Sequence, residues 1–432
     1  MRRLSRLKTV SIISLLAVCF ASAASAQLTY TITDLGSLPG GAGIGTAINA
    51  SGQVTGYGDS AGTQAFLYSN GTITELGTLP GGGLSYGYGI NASGQVVGES
   101  NGTSLFAPSF LAHAFLYSGS TMTDLGTLTG GTASTGLGIN ASGQIAGLSN
   151  GTGIPLQHAF LYSPVTKTMT DLGTFPGGSF STGSGINDAG WVTGDSDGNG
   201  ISSGNAHAFL YDGKTMHDLG TLPGGTFSEG LSINSSGQIA GNGDGTGFIG
   251  ISHALLYSGG VMHDLGTFPG GTVSFGISIN ASGQVVGDGD GTNFSDHGFL
   301  YSGGTMTDLN TVLPENSGWT ITIANGINDA GQITGVGIHP GGGTSAFILT
   351  PPAISALISV VEGDNLLEGI QSVLTDTLTA AENAHSQAVS CFDLTTFTFE
   401  VDLLHAFHQL TPTEASQLTA DTNLIKLAQG CR

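Results

Sequence analysis

Apolar and polar residues follow one order, again and again, from residue 29 to residue 350. Around residues 85–125 the chain reads SYGYGI, a polar NASG break, QVVG, a polar stretch of variable length, HAFLY, an SGS break and TMTDL. The apolar pieces are short, rich in Val, Ile, Phe, Tyr and Thr, and bounded by Asn, Ser and Gly. Such pieces predict strands joined by tight turns, because β-branched and aromatic side chains fit a pleated surface while Asn and Gly tolerate left-handed backbone angles. HAFLY is bulky on one face and small or apolar on the other, which suits a strand packed on both sides.

Three phrases mark the period. Ile-Asn-x-x-Gly begins at Ile48, Ile90, Ile139, Ile186, Ile233, Ile279 and Ile327. The aromatic phrase centres on Phe66, Phe115, Phe160, Phe209, Leu255, Phe299 and Phe347. An acidic-Leu-Gly phrase, or a near variant, begins at Asp34, Glu75, Asp124, Asp171, Asp218, Asp264 and Asp308, a spacing of about 46 residues. Most repeats are linked by Pro-Gly-Gly or Thr-Gly-Gly, as at Pro80, Thr129, Pro176, Pro223 and Pro269. Four short strands in each of seven repeats predict a mainly β fold, a seven-bladed β-propeller spanning 27–350. The register adds a second expectation. The chain opens with a lone fourth strand, Tyr30 to Leu35, and its last repeat stops at a third strand, Ala346 to Leu349. The N-terminal strand is therefore expected to close the last blade, which would remove an exposed sheet edge.

Composition supports turns over helices in this region. Gly occurs 74 times, charged residues make up 9% of the chain, and the glycines show no three-residue period that would indicate collagen. After Pro351-Pro352 the pattern changes. Gly becomes scarce, and 366–384, 389–407 and 412–428 each read as a helix. Thr411 is the expected N-cap of the last, with Pro412 and Glu414 inside its first turn and Gly430 as its stop. Residues 351–432 are thus expected to form a small α-helical C-terminal domain.

Residues 1–26 read as a secretory signal peptide. Arg2, Arg3, Arg6 and Lys8 precede an apolar run from Val10 to Phe20, and Ala24-Ser25-Ala26 supplies a cleavage site before Gln27. The run is short for a membrane span. Val18 is too large for the residue preceding a lipidated Cys19, and the residues after Arg2-Arg3 do not fit twin-arginine export. Four of the 8 basic residues leave with this segment, so the mature chain keeps 4 basic against 30 acidic side chains, a net charge of −26. That excludes nucleic acid and anionic lipid as partners, since both need Lys or Arg. Cys391 and Cys431 are the two cysteines left, and an even pair in an exported chain reads as one disulfide.

The three phrases, in this order and spacing across 29–350, resemble the HAF-repeat family of bacterial extracellular proteins. The resemblance implies export and a repeat architecture, and transfers no catalytic residue. The tail is similar to the small helical FIMAH-type domain, on Phe397 and Val401 through Leu410-Thr411, Ala415 and Leu418 to Ile425.

Little in the sequence carries chemistry. His113, His158, His207, His253 and His297 recur at one strand position, one per repeat, which favours a hydrogen-bonded structural role over a metal site. The repeated acidic residue reads as a turn cap, with a ring of channel carboxylates as the sharper alternative. Loops after the second strand hold Asp195, Asp197, Asn242, Asp244, Asp288 and Asp290 among glycines. Ca2+ takes several oxygens on such loops, so Asp195, Asp197, Asp288 and Asp290 are calcium candidates, although no Glu follows at EF-hand spacing and Asx turns use the same residues. Asn49, Asn91, Asn140, Asn234 and Asn280 lie in glycosylation sequons that turn geometry already explains. Trp191 and Trp319 are the only tryptophans. No nucleophile–base constellation is visible. The favoured expectation is a secreted, monomeric, non-catalytic binding or scaffold protein that presents a propeller face to an extracellular ligand or surface partner. One alternative is a propeller hydrolase or lyase acting on polysaccharide or lactone, its residues drawn from the insert at 99–111 or the region around Trp319. A structural cell-surface or matrix component is the other.

Overall fold

The computed structural model describes residues 27–431 except 37, 39, 40, 42, 59–61, 102–111, 155, 199, 202–204, 246, 248–250, 292–295, 365 and 385. The proposed signal peptide and most of the insert at 99–111 therefore lie outside the described residues.

Seven four-stranded antiparallel sheets form the repeat region. Blades 1 to 6 are contiguous in sequence, at 43–77, 85–124, 134–173, 181–218, 228–264 and 274–308. Blade 7 joins Thr320–Ile327, Ile333–Ile338 and Thr344–Thr350 to the N-terminal strand Thr31–Asp34, with Thr31 opposite Thr350 and Asp34 opposite Phe347. The architecture is a seven-bladed β-propeller with a small C-terminal helical region.

Each repeated phrase has a packing reason. The aromatic phrase places Phe66, Phe115, Phe160, Phe209, Leu255, Phe299 and Phe347 between blades, all fully buried. The Gly of the second strand is fixed by close approach. A Cβ on Gly194 would meet the Thr182 carbonyl oxygen at 1.6 Å and the Phe209 ring at 2.9 Å. Blade-to-blade stitches come from the Ser that opens the first strand. Ser181 Oγ, for example, accepts from Ala159 N at 2.8 Å and donates to the Gly173 carbonyl, both in the preceding blade.

The recurrent His and Asp are partners within a blade. His113–Asp124, His158–Asp171, His207–Asp218, His253–Asp264 and His297–Asp308 lie at 3.0, 2.9, 3.0, 3.1 and 2.7 Å. In blade 7 the His position is Ser345, whose hydroxyl donates to Asp34 at 2.6 Å. The same carboxylates accept the amide two residues on, as Asp171 does from Gly173, whose φ of +71° favours glycine.

Among the described residues four helices follow: α1 (Ile354–Gly363), α2 (Glu368–Glu382), α3 (Gln387–Ala406) and α4 (Pro412–Ala428). Three correspond to the expected helices; α1 was not expected. Its β-branched residues Ile354, Ile358, Val360 and Val361 read poorly as helix, and Ala353 offers no side-chain cap. Thr411 and Glu414 form a reciprocal capping box at the start of α4. Cys391 in α3 is disulfide-bonded to Cys431 just beyond α4. No described helix is long and apolar enough to cross a membrane.

Candidate functional site

The first strand of each blade lines a central channel. The repeated Ile side chains divide it into two cavities of about 340 and 270 Å3, both bounded by Ile48, Ile90, Ile139, Ile186, Ile233 and Ile327. Beyond this constriction, at the end formed by the hairpin turns, lies a closed circle of asparagines. Asn49 Nδ2 donates to the Asn91 carbonyl, Asn91 to Asn140, Asn140 to Asn187, Asn187 to Asn234, Asn234 to Asn280, Asn280 to Asn328, and Asn328 back to Asn49, at 2.9 to 3.2 Å. All of these Asn are buried. Asn140 also donates to Gln144 Oε1 and accepts from Gln144 N and Ser142 Oγ, so its amide is fully used. The sequon asparagines are thus structural members of this circle. Trp191 belongs to the same end, where it covers Gly237 in the neighbouring turn, as Gln144 covers Gly190.

The opposite end, where the inter-blade links and the long loops lie, breaks the symmetry. On the two inner strands, side chains differ most from blade to blade at three registers, while the buried register at Thr55, Val97, Ala146, Thr193, Ala240, Val286 and Thr334 changes only among Thr, Val and Ala. The first holds Ile44, Tyr86, Thr135, Thr182, Glu229, Phe275 and Ile323. The second, two residues on, holds Thr46, Tyr88, Leu137, Ser184, Leu231, Ile277 and Asn325, which line the larger cavity. The third lies across the ladder from the first and holds Tyr57, Glu99, Leu148, Asp195, Asn242, Asp288 and Val336.

Two clusters result at this mouth. Tyr57 of blade 1 meets Tyr86 edge-on at 5.0 Å and Tyr88 at 6.3 Å, both of blade 2, while Tyr86 and Tyr88 stack nearly parallel. Tyr88 Oη donates to Glu99 Oε1 at 3.3 Å, and Thr135 Oγ1 donates to Glu99 Oε2 at 2.6 Å. Burial, followed by the Glu99 charge, raises the Tyr88 phenol well above its ordinary value. The second cluster spans blades 4 and 5. Asp195 is pushed up to about 7 by burial and then by the charge of Glu229. Glu229 is itself raised by burial, opposed by donation from Asn242 Nδ2 at 2.8 Å. In blade 6, burial and then the charge of Asp296 push Asp288 up to about 6. Asp195 and Asp288 thus bind protons near neutral pH, a property that recurs at functional sites.

The four calcium candidates are not brought together as one cluster. Asp195 and Asp288 belong to the mouth in separate blades. Asp197 and Asp290 cap inter-blade links. Asp197 accepts from Ser179 N, Phe180 N and Ser179 Oγ at 2.6 to 2.8 Å, and Asp290 accepts from Thr272 and Val273 in the same way. Burial opposes ionisation of both, but these donors outweigh it and hold the carboxyls below their usual range. Asn101 and Asn150 do the same job with an amide oxygen, which explains why Asn and Asp interchange at this position. Among the described residues no group of three or more His, Cys, Asp or Glu could hold a metal ion. Trp319, in blade 7, packs against His339 and Phe347.

The helical region occupies the other end of the propeller. Leu427 O of α4 accepts from Gln284 Nε2 at 2.7 Å and Ser302 Oγ at 3.3 Å, and Ala428 packs with Ile327 and Leu349. The variable mouth is therefore left clear of it.

No protein-family model matches the chain, and no curated protein is detectably similar to it. Among solved structures, the β-propeller domain of the trilobed protease from Pyrococcus furiosus gives a TM-score of 0.47 at 8% identity, covering 75% of this chain and 94% of that one. An oligogalacturonate lyase, solved in complex with manganese, gives 0.47 at 12% identity over 76% and 98%. The SapL1 lectin, solved with alpha methyl fucoside, gives 0.33 at 13% identity over 65% and 99%. Likeness at this level concerns the fold alone, and bears on neither ligand nor chemistry.

Proposed function

We propose that the mature protein is an exported, non-catalytic binding protein of the HAF-repeat type that holds its ligand at the variable mouth of the channel. One observation carries this reading. The scaffold positions of the inner strands repeat closely from blade to blade, and the positions that differ most gather at one end of the channel. Positions kept alike in all blades serve the ring; unlike side chains gathered at one place are what recognition needs. The mouth offers Tyr57, Tyr86 and Tyr88 as aromatic surface beside Glu99, Asp195, Glu229 and Asp288, without Lys or Arg in the three variable registers. Aromatic rings and carboxylates suit a neutral sugar or an amine and repel polyanions. The disulfide fits an oxidising compartment, and the N-terminal strand is read as the clasp that keeps the ring shut.

Binding to a chitosan oligomer, its N-acetylated counterpart and polygalacturonate tests the reading. Tyr86→Ala and Glu229→Gln are expected to weaken capture of the first or second probe at least tenfold. Polygalacturonate capture, or binding indifferent to both variants, would remove the mouth as the site.

A second reading, hydrolysis or lysis, rests on Asp195 and Glu229 alone, a carboxyl protonated near neutral pH beside another carboxylate. Turnover of either neutral or cationic oligomer that is abolished by Asp195→Asn would establish it.

A further inference from the structure

Helix α3 is apolar on two opposite faces. Its inner face carries Leu394, Phe397 and Val401, fully buried among α1, α2 and α4. Its outer face carries Val389, Phe392, Phe399 and Leu403, continued by Phe407 at the C-cap, and these are 50, 71, 65, 41 and 66% exposed. At about 100° per residue, Phe392, Phe399 and Leu403 fall within about 20° of one line, with Val389 and Phe407 within about 60° of it, diametrically opposite the buried stripe. A helix with a single partner keeps its outer face polar, so a second apolar face is the mark of a helix packed on both sides. The propeller does not supply the cover, because the helical region docks on it through Leu427 and Ala428 of α4.

Spacing says what kind of partner fits. Val389, Phe392, Thr396, Phe399, Leu403 and Ala406 recur at alternating steps of three and four, the pattern of a helix that seats against another helix. The exposed Phe, Leu and Val surface amounts to roughly 550 Å2, using about 200 Å2 for a whole Phe side chain. Two such faces together bury at most roughly 1,100 Å2, which reaches the area of about 1,000 Å2 that a specific interface needs. We propose that the outer face of α3 pairs with the same face of a second copy, antiparallel about a two-fold axis midway between Thr396 and Phe399, making the protein a dimer whose two channel mouths stay free. A two-fold axis suits the face because the stripe is its own complement when reversed. From residue 27 onward the chain carries 30 acidic against 4 basic side chains, so two copies repel and screening by salt tightens the pair instead of loosening it.

Sedimentation equilibrium of residues 27–432 from about 1 to about 100 µM tests this, a range suited to the weak end of affinities for interfaces of this size. Twice the monomer mass is expected, at lower concentration in about 500 mM than in about 50 mM salt. The double variant F392D/F399D is expected to stay monomeric throughout with an unchanged circular-dichroism spectrum. Thr396→Cys is expected to give an intermolecular disulfide under oxidation. Monomer mass at the highest concentration in high salt would overturn the proposal, as would dimers that persist in the double variant or fail to cross-link through Cys at position 396.

Discussion

Removing one asparagine from the circle tests whether it holds the ring. In Asn140→Ala, the Asn187 carbonyl loses the Nδ2 donor at 3.1 Å but keeps the Gly190 amide at 2.9 Å, so this bond costs about 1 kcal/mol. Gln144 N–H loses its acceptor at 2.9 Å inside a tight turn, a loss of about 1–3 kcal/mol. The Ser142 hydroxyl and the Gln144 side chain can turn to solvent at little cost. The expected destabilisation is therefore about 2–4 kcal/mol. Urea denaturation of residues 27–432, followed by tryptophan fluorescence, would measure it, with the denaturant slope unchanged if both states keep their compactness. Asn140→Asp sharpens the test. The new carboxyl can donate to the Asn187 carbonyl only when protonated, so the folded state holds that proton more tightly than the unfolded chain does. The deficit should be small near pH 4 and grow as pH rises towards 8. A loss below about 0.5 kcal/mol for Asn140→Ala would refute the reasoning, because it would mean that water or repacking satisfies the turn.

Three further outcomes are expected. Joint replacement of Cys391 and Cys431 by Ser should cost about 4 kcal/mol for a sequence separation of 40, seen as early melting of the helical region with the propeller transition retained. Asp195→Asn should stabilise the protein above pH 7 and flatten its pH dependence. The folded carboxyl, at about 7, binds a proton more tightly than the unfolded one, so wild-type stability declines from about pH 4 to about pH 7; equal pH slopes for the two proteins would contradict the assignment. Tyr30, fully buried beside the closing strand, has a hydroxyl with no hydrogen-bond partner among the described residues. Tyr30→Phe should be neutral or stabilising by up to about 2 kcal/mol and Tyr30→Ala destabilising by about 3–5 kcal/mol in thermal melts, and a clear loss in Tyr30→Phe would show that the hydroxyl is used.

Local order is what the sequence by itself determined. The alternation in HAFLY, the Asn and Gly of the turns, and the return of three phrases define strands and their count, because strand and turn preferences act over a few neighbouring residues. The Thr411 cap was legible for the same reason. The disulfide was legible from the count of cysteines beyond residue 26, and the pairing of Thr31–Asp34 with Thr344–Thr350 from the frame of the repeat. Helix α1 was not, since its β-branched residues form a helix only because Ile354, Leu357 and Val361 find a core to fill.

Tertiary structure alone decided the partners. That His158 faces Asp171, that Asn140 reaches Asn187, and that Asp197 caps a link depend on which strand lies beside which. The candidate site belongs to this second class. Tyr57, Tyr86, Tyr88, Glu99, Asp195, Glu229 and Asp288 carry no motif, and Asp195 and Asp288 were read only as loop oxygens. A column-by-column comparison of the seven copies could have picked them out, as the positions where the repeat fails to repeat. Only the closed ring shows that those failures share one mouth, because the third register of one blade meets the first register of the next across a gap that no local sequence pattern spans.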